Sequence, residues 1–192
     1  MRFMTPAAVV VLGLIAAAPS HSATISIQPV PTNVNFGQTF SVNVVMSGVA
    51  DLFAYQFDLG FDPSVVAATG ITEGAFLSSG GATFFLSGVV DNIGGTISNT
   101  ADSLVGPVSG VSGSGVVATA SFTAVGPGAT SINLLSMSLL DSTLSDISAT
   151  VQNGDVTVSA VPEPSTELLC VAGVALLLAV RRYRCTPGTG RR

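Results

Sequence analysis

Two carboxylates four residues apart, Asp58 and Asp62, are the residues of this sequence best placed to do chemistry. A carboxylate pair can cleave a glycosidic bond, one group acting as acid and the other as base or nucleophile. They belong to a set of nine acids between Thr24 and Ala160: Asp51, Asp58, Asp62, Glu73, Asp91, Asp102, Asp141, Asp146 and Asp155. The same stretch holds no His, Lys, Arg or Cys. Ser-His-Asp and Cys-His sites therefore cannot be built from it, and neither can a zinc site with His or Cys ligands. Sugar-cleaving sites also need aromatic stacking surfaces, and the chain has no Trp. Asp62 stands before Pro63, where a turn role accounts for it. The reading is a chain that is not an enzyme and needs no cofactor, with a carboxylate-only glycan hydrolase as the alternative.

Oxygen-rich loops raise the question of calcium, which takes several Asp, Asn and carbonyl oxygens. Asp91 with Asn92, and Asp141 with Asp146, are weak candidates for such ligands. No Asp-x-Asp-x-Asp-Gly loop occurs, so no EF-hand-type repeat is present.

The formal net charge of −5 hides a sharp division. The basic residues are Arg2, Arg181, Arg182, Arg184, Arg191 and Arg192, all at the two ends. Nucleic-acid binding needs cations facing phosphates, and phosphoryl transfer needs Lys or Arg clamps. The body supplies neither.

The ends read as addresses. Residues 1–22 have the form of a secretory signal peptide: Arg2, an apolar Ala7–Ala18 region, and small Ser20 and Ser22 before a cut at Ala23. At the other end, Leu168–Val180 is apolar and is followed by Arg181-Arg182-Tyr183-Arg184. As a helix this run is about 20 Å long, against a hydrocarbon core of about 30 Å. It is expected to act as a short, temporary transmembrane segment. The arginines would stay cytoplasmic, with 185–192 as a tail, and residues 23–160 would be exported. Cys170 and Cys185 would lie at different membrane depths, so no disulfide is expected.

With Pro162-Glu163-Pro164 ahead of the apolar run and Arg181, Arg182 and Arg184 after it, residues 161–184 resemble the PEP-CTERM sorting signal of Gram-negative bacteria. The resemblance implies an exosortase as partner, export across the inner membrane, a transient membrane anchor, and a final place at the cell surface or outside the cell.

The body must position whatever binds, and its pattern is that of strands. Apolar and polar residues alternate in short stretches separated by Gly, Pro, Asn and Asp. Phe53, Tyr55, Phe57, Leu59 and Phe61 are expected on one face, opposite Ala54, Gln56, Asp58 and Gly60. Asp62-Pro63 and Gly126-Pro127-Gly128 are turns. Strands are expected at 83–90, 96–100, 116–124 and 131–140, with a Gly/Ser-rich loop over 102–115. Asn153-Gly154 reads as a hairpin between 147–152 and 155–159. No stretch supports a long amphipathic helix. The fold class is all-β, an antiparallel sandwich or jelly roll of about nine strands.

Four segments in order carry a second resemblance: Gly37–Val42, Tyr55–Val66, Gly115–Ala118 and Gly154–Val158. Residues 23–160 resemble the cohesin domain of cellulosome scaffoldins. The resemblance implies a nine-stranded jelly roll that binds dockerin modules and links enzymes to scaffolds on polysaccharide. It also implies that the partner touches the outer face of the strand before Asp62-Pro63, at Ala54, Gln56 and Asp58. A carbohydrate-binding sandwich would share the pattern, so a glycan is the other ligand considered. A purely structural matrix protein is the remaining reading.

Overall fold

The computed structural model describes residues 22–28, 33–160, 170, 173–178 and 180–181. The strands are β1 (Ala23–Gln28), β2 (Asn33–Asn35), β3 (Thr39–Gly60), β4 (Val66–Glu73), β5 (Leu86–Asp91), β6 (Thr96–Ser103), β7 (Val111–Ala124), β8 (Gly128–Asp141), β9 (Ala149–Gln152) and β10 (Gly154–Ser159). One short helix, α1 (Ala75–Ser78), interrupts them.

The pairings divide into two sheets that share β3. Its first half pairs with β1 and β7, β9 flanks β1, and β4 flanks β7. Its second half pairs with β6 and β8, β5 flanks β6, and β10 then β2 follow β8. β3 is thus one long strand that bends between the sheets.

The bend has local causes. Gly48 and Asp51 both have left-handed φ, at 66° and 57°, and the register slips on either side of Val49. Ladder bonds lost there are replaced by side chains. The Gly48 and Asp51 N–H groups donate to the Ser114 and Ser112 hydroxyls at 3.0 and 2.9 Å. The Asp51 carboxylate accepts from the Gly110 N–H at 2.7 Å and the Ser142 hydroxyl at 2.6 Å. The bend also resets the alternation. Leu52 is fully buried, while Phe53, expected in the core, only packs against it. From Tyr55 onward the expected face holds: Tyr55, Phe57, Leu59 and Phe61 all point inward.

The core lies between the sheets. Phe122 stacks on Phe40 at 5.7 Å and meets Phe61 edge-on at 5.4 Å. Each large apolar side chain buried in this way is worth about 1.5–3 kcal/mol.

Other expectations are corrected. Among the described residues there are ten strands, against about nine expected, and two pairings are parallel instead of antiparallel, β1 with β9 and β10 with β2. Asn153-Gly154 is not a hairpin turn, because β9 and β10 join different sheets. The Asn153 side chain instead accepts from the Leu134 N–H at 3.0 Å. The 102–115 loop is shorter than expected, since β7 starts at Val111 and is anchored by the bend in β3. The strand expected at 83–90 begins at Leu86, and Thr83 makes a single bridge to Leu104.

In the C-terminal segment Cys170, residues 173–178, Val180 and Arg181 are helical and exposed. Among the described residues no helix is long and apolar enough to cross a membrane, so the transmembrane helix expected at 168–180 is not supported. Its short reach is the physical reason. Most of the 1–22 leader, Pro162, Glu163, Pro164, Arg182, Arg184 and the 185–192 tail lie outside the described residues.

Candidate partner-binding face

The second half of β3 is the centre of one sheet, and its inward residues fix what points outward. With Tyr55 and Phe57 in the core, Ala54, Gln56 and Asp58 face out. Cross-strand register places small residues around them. Ala54 lies opposite Ser103 of β6 and Leu140 of β8; Gln56 lies opposite Ala101 and Ser138. On the far side of β6, Leu86 pairs with Ala101, and the Phe84 N–H donates to the Ser103 carbonyl at 2.9 Å.

The result is a groove of about 230 Å³. Its floor is Ala54, Ala101, Ser103 and Ser138. Phe84 and Leu86 form one wall, 62% and 49% exposed, and Leu140 forms the other. Large apolar groups held this far in solvent around a small-residue floor are characteristic of a surface that a partner covers.

Asp58 stands beyond one end of the groove, and its carboxylate is already engaged. Oδ1 accepts from the Asn99 N–H at 2.6 Å and Oδ2 from the Ser136 hydroxyl at 2.7 Å. The face thus offers apolar walls, a free amide at Gln56, and a carboxylate tied to its own sheet.

Directly beneath lies a polar cluster. The Tyr55 hydroxyl donates to the Val117 carbonyl at 2.6 Å and lies 3.4 Å from Asp102 Oδ2. Burial, and then the charge of Glu73, push the Asp102 carboxyl up to about 6. Burial, and then Asp102, push the Tyr55 phenol upward as well.

The sequence profile of the family described as "Cohesin domain" matches residues 24–158. The chain belongs to the cohesin domain family. Solved cohesins share its fold. A non-cellulosomal cohesin from Archaeoglobus fulgidus is 15% identical with a TM-score of 0.56, covering 72% of this chain and 92% of that one. A type I cohesin–dockerin complex from Clostridium thermocellum is 16% identical at 0.59, covering 72% and 100%. A type II cohesin–X-dockerin complex from Acetivibrio cellulolyticus is 17% identical at 0.60, covering 72% and 100%. No curated protein matches.

Several other acids of this cohesin are held by hydrogen bonds: the carboxylates of Asp51, Asp62, Asp91, Asp141 and Asp155 all accept them. Asp62 Oδ1 accepts from the Ser64 N–H at 2.9 Å and the Ser64 hydroxyl at 2.6 Å, which lowers its pKa. It is a turn residue, and the structure does not pair it with Asp58. Four residues of extended chain span roughly 13 Å, beyond the roughly 5–9.5 Å that glycoside hydrolysis uses.

The calcium candidates fall in two separate turns. Asp91 Oδ1 accepts from the Ile93 and Gly94 N–H groups at 2.8 and 2.9 Å. The Asn92 side chain makes two bonds to Ala68 of β4, accepting from its N–H at 2.8 Å and donating to its carbonyl at 3.0 Å. Asp141 Oδ1 accepts from the Thr143 N–H and hydroxyl and the Ser145 N–H at 2.7–2.9 Å. Asp146 lies across a backbone bridge from Leu140. Among the described residues no group of three or more His, Cys, Asp or Glu is arranged to hold a metal ion.

Sequence reasoning reached the β3 part of the face and missed Phe84, Leu86 and Asp102. Phe84 and Leu86 left a signal, two large apolar residues at period two beside an equally apolar Phe85. Asp102 left none, since nothing local distinguishes it from the other eight acids.

Proposed function

We propose that this cohesin domain is a non-enzymatic protein-binding module whose outer β5–β6–β3–β8 face docks a dockerin-type partner. The observation that carries this reading is the groove, with small residues at Ala54, Ala101, Ser103 and Ser138 between a wall of exposed Phe84 and Leu86 and a half-buried Leu140. It suits an apolar side chain presented by a folded partner. The fold neighbours from Clostridium thermocellum and Acetivibrio cellulolyticus are themselves dockerin complexes, which supports that class of partner. The nine carboxylates without a basic residue in 24–160 favour a neutral or basic partner over an anionic glycan.

Export belongs to the same proposal and rests on the sequence. The 1–22 leader, Pro162-Glu163-Pro164, the apolar Leu168–Val180 and the arginine cluster support sorting by an exosortase to the cell surface or beyond. A carrier role on polysaccharide would follow from the partner's cargo.

Calorimetric titration of the full chain with type I and type II dockerin modules, including those from the producing organism, tests the binding reading. Saturable one-to-one binding that Ala54→Arg abolishes is expected. Absence of binding to every dockerin overturns it. Intact mass of the exported form tests the sorting reading, which requires loss of the residues beyond about 161.

A further inference from the structure

Leu135 of β8 is 59% exposed, and it belongs to a bulge. Asp58 pairs with Ser136 and Leu59 with Leu134, which leaves Leu135 as the extra residue opposite β3. A bulge of this kind re-aims one side chain. Here the Leu135 side chain lies over Gly60, where a Cβ would come within 2.9 Å of its Cδ1.

The bulge is pinned on both sides. Before it, the Leu134 N–H donates to the Asn153 side chain at 3.0 Å. After it, the Ser136 hydroxyl donates to Asp58 Oδ2 at 2.7 Å. Asp58 Oδ1 accepts from the Asn99 N–H of β6 at 2.6 Å, where the register slips as well. One carboxylate thus fixes an irregularity on each neighbour of β3. The exposure of Leu135 is built into the sheet.

Beside Leu135 a concavity of about 440 Å³ opens at the end of β3. Gly94 and Gly95 of the β5–β6 turn line it with bare backbone. Gly95 has a left-handed φ of 69°, and a Cβ there would collide with the Phe61 carbonyl. The Phe61 N–H donates to the Gly95 carbonyl at 2.8 Å and ties this turn to β3. Asn133 and Ser131 add polar groups to the same lining.

The groove and this concavity share one face of one strand. Ala54 lines the first and Gly60 the second. Six residues of strand separate them, roughly 20 Å. The outward residues between them are Gln56 and Asp58 of β3 and Ser136 and Ser138 of β8, all polar. An α-helix covers that span in about 14 residues and brings its two ends to nearly the same side. With nine acids and no basic residue in 24–160, the polar stretch favours neutral or basic groups opposite it.

We propose that Leu135 and the concavity beside it form a second anchor site for the dockerin-type partner. That partner lays a helix along β3 and presents two apolar side chains about 14 residues apart, with neutral or basic residues between them. The inference rests on the reading of the groove as the partner site and adds a second point of contact to it.

The calorimetric titration of the full chain with type I and type II dockerin modules, repeated with Leu135→Asp, tests it. Affinity should fall at least about tenfold, with the melting temperature unchanged because the side chain is already in solvent. Amide NMR spectra of the wild-type chain with the same dockerin give a second measurement, which carries the test if Leu135→Asp does not fold. The amides of Gly95, Thr96 and Asn133 should shift along with those of Ala101 and Ser103. Unchanged affinity in a folded Leu135→Asp overturns the second anchor, as do Gly95, Thr96 and Asn133 amides that stay still. If Ala54→Arg still abolishes binding in that case, the groove reading stands without it. A wild-type chain that binds no dockerin overturns both.

Discussion

The Tyr55 hydroxyl donates to the Val117 carbonyl at 2.6 Å, reaching from one sheet to the other through the interior. The same carbonyl accepts from the Gly74 N–H at 2.9 Å, so one acceptor ties β3, β7 and the start of α1 together. Removing the hydroxyl in Tyr55→Phe leaves the Gly74 bond in place and strips Asp102 Oδ2 of its facing group. The expected loss is about 1–2 kcal/mol. Urea unfolding should show a lower midpoint with an unchanged slope.

Stability should depend on pH in two opposed ways. The Asp102 carboxyl is raised from 3.8 to about 6 in the folded chain. The folded state therefore holds this proton more tightly than the unfolded state. Its contribution is complete below about pH 4 and is lost as pH rises through about 6. Asp51, Asp62, Asp91 and Asp141 are lowered by hydrogen bonds in their turns. Their contribution is present above their unfolded value and fades as pH falls below it. Melting temperature should therefore rise from neutral pH toward pH 4 and fall below that. In Asp102→Asn the rise should disappear.

The β5–β6 turn should be held by Asn92 and not by an ion. Ala68, which is buried, loses partners for both its N–H and its carbonyl in Asn92→Ala. The expected cost is about 1–2 kcal/mol. Since the Asp91 and Asp141 carboxylates already accept bonds within their turns, EDTA should leave the melting temperature of the wild-type protein unchanged. Thermal scans with EDTA and with calcium check both statements.

Filling the groove should separate binding from folding. Ala54 faces outward on the central strand, so Ala54→Arg adds its side chain above the sheet. Stability should stay within about 0.5 kcal/mol, while affinity for a dockerin partner should fall at least about tenfold, as when a well-packed anchor site is blocked. Calorimetry paired with thermal melts distinguishes the two effects.

Much of this cohesin was legible along the chain. The inward run Tyr55, Phe57, Leu59 and Phe61 and the outward Ala54, Gln56 and Asp58 follow from side chains alternating at period two. That is a local property of an extended backbone and needs no partner strand to be read. The Asp62-Pro63 turn is local too, since the carboxylate bonds its own chain two residues on. The absence of His, Lys, Arg and Cys from 24–160 excluded whole classes of chemistry before any geometry was known.

What only the tertiary structure decided depends on residues far apart in sequence. Asn153-Gly154 has the residues of a hairpin turn, yet β9 pairs with β1 and β10 with β8, because burying both faces of the core requires the chain to cross between sheets there. The bend in β3 exchanged Phe53 for Leu52 through backbone angles at Gly48 and Asp51 that no alternation pattern reveals. The groove exists only where β5, β6, β3 and β8 meet, and Asp102 differs from the other acids only because folding removes its water and sets it against Glu73. Periodicity is written along one strand, whereas register, shape and desolvation arise between strands.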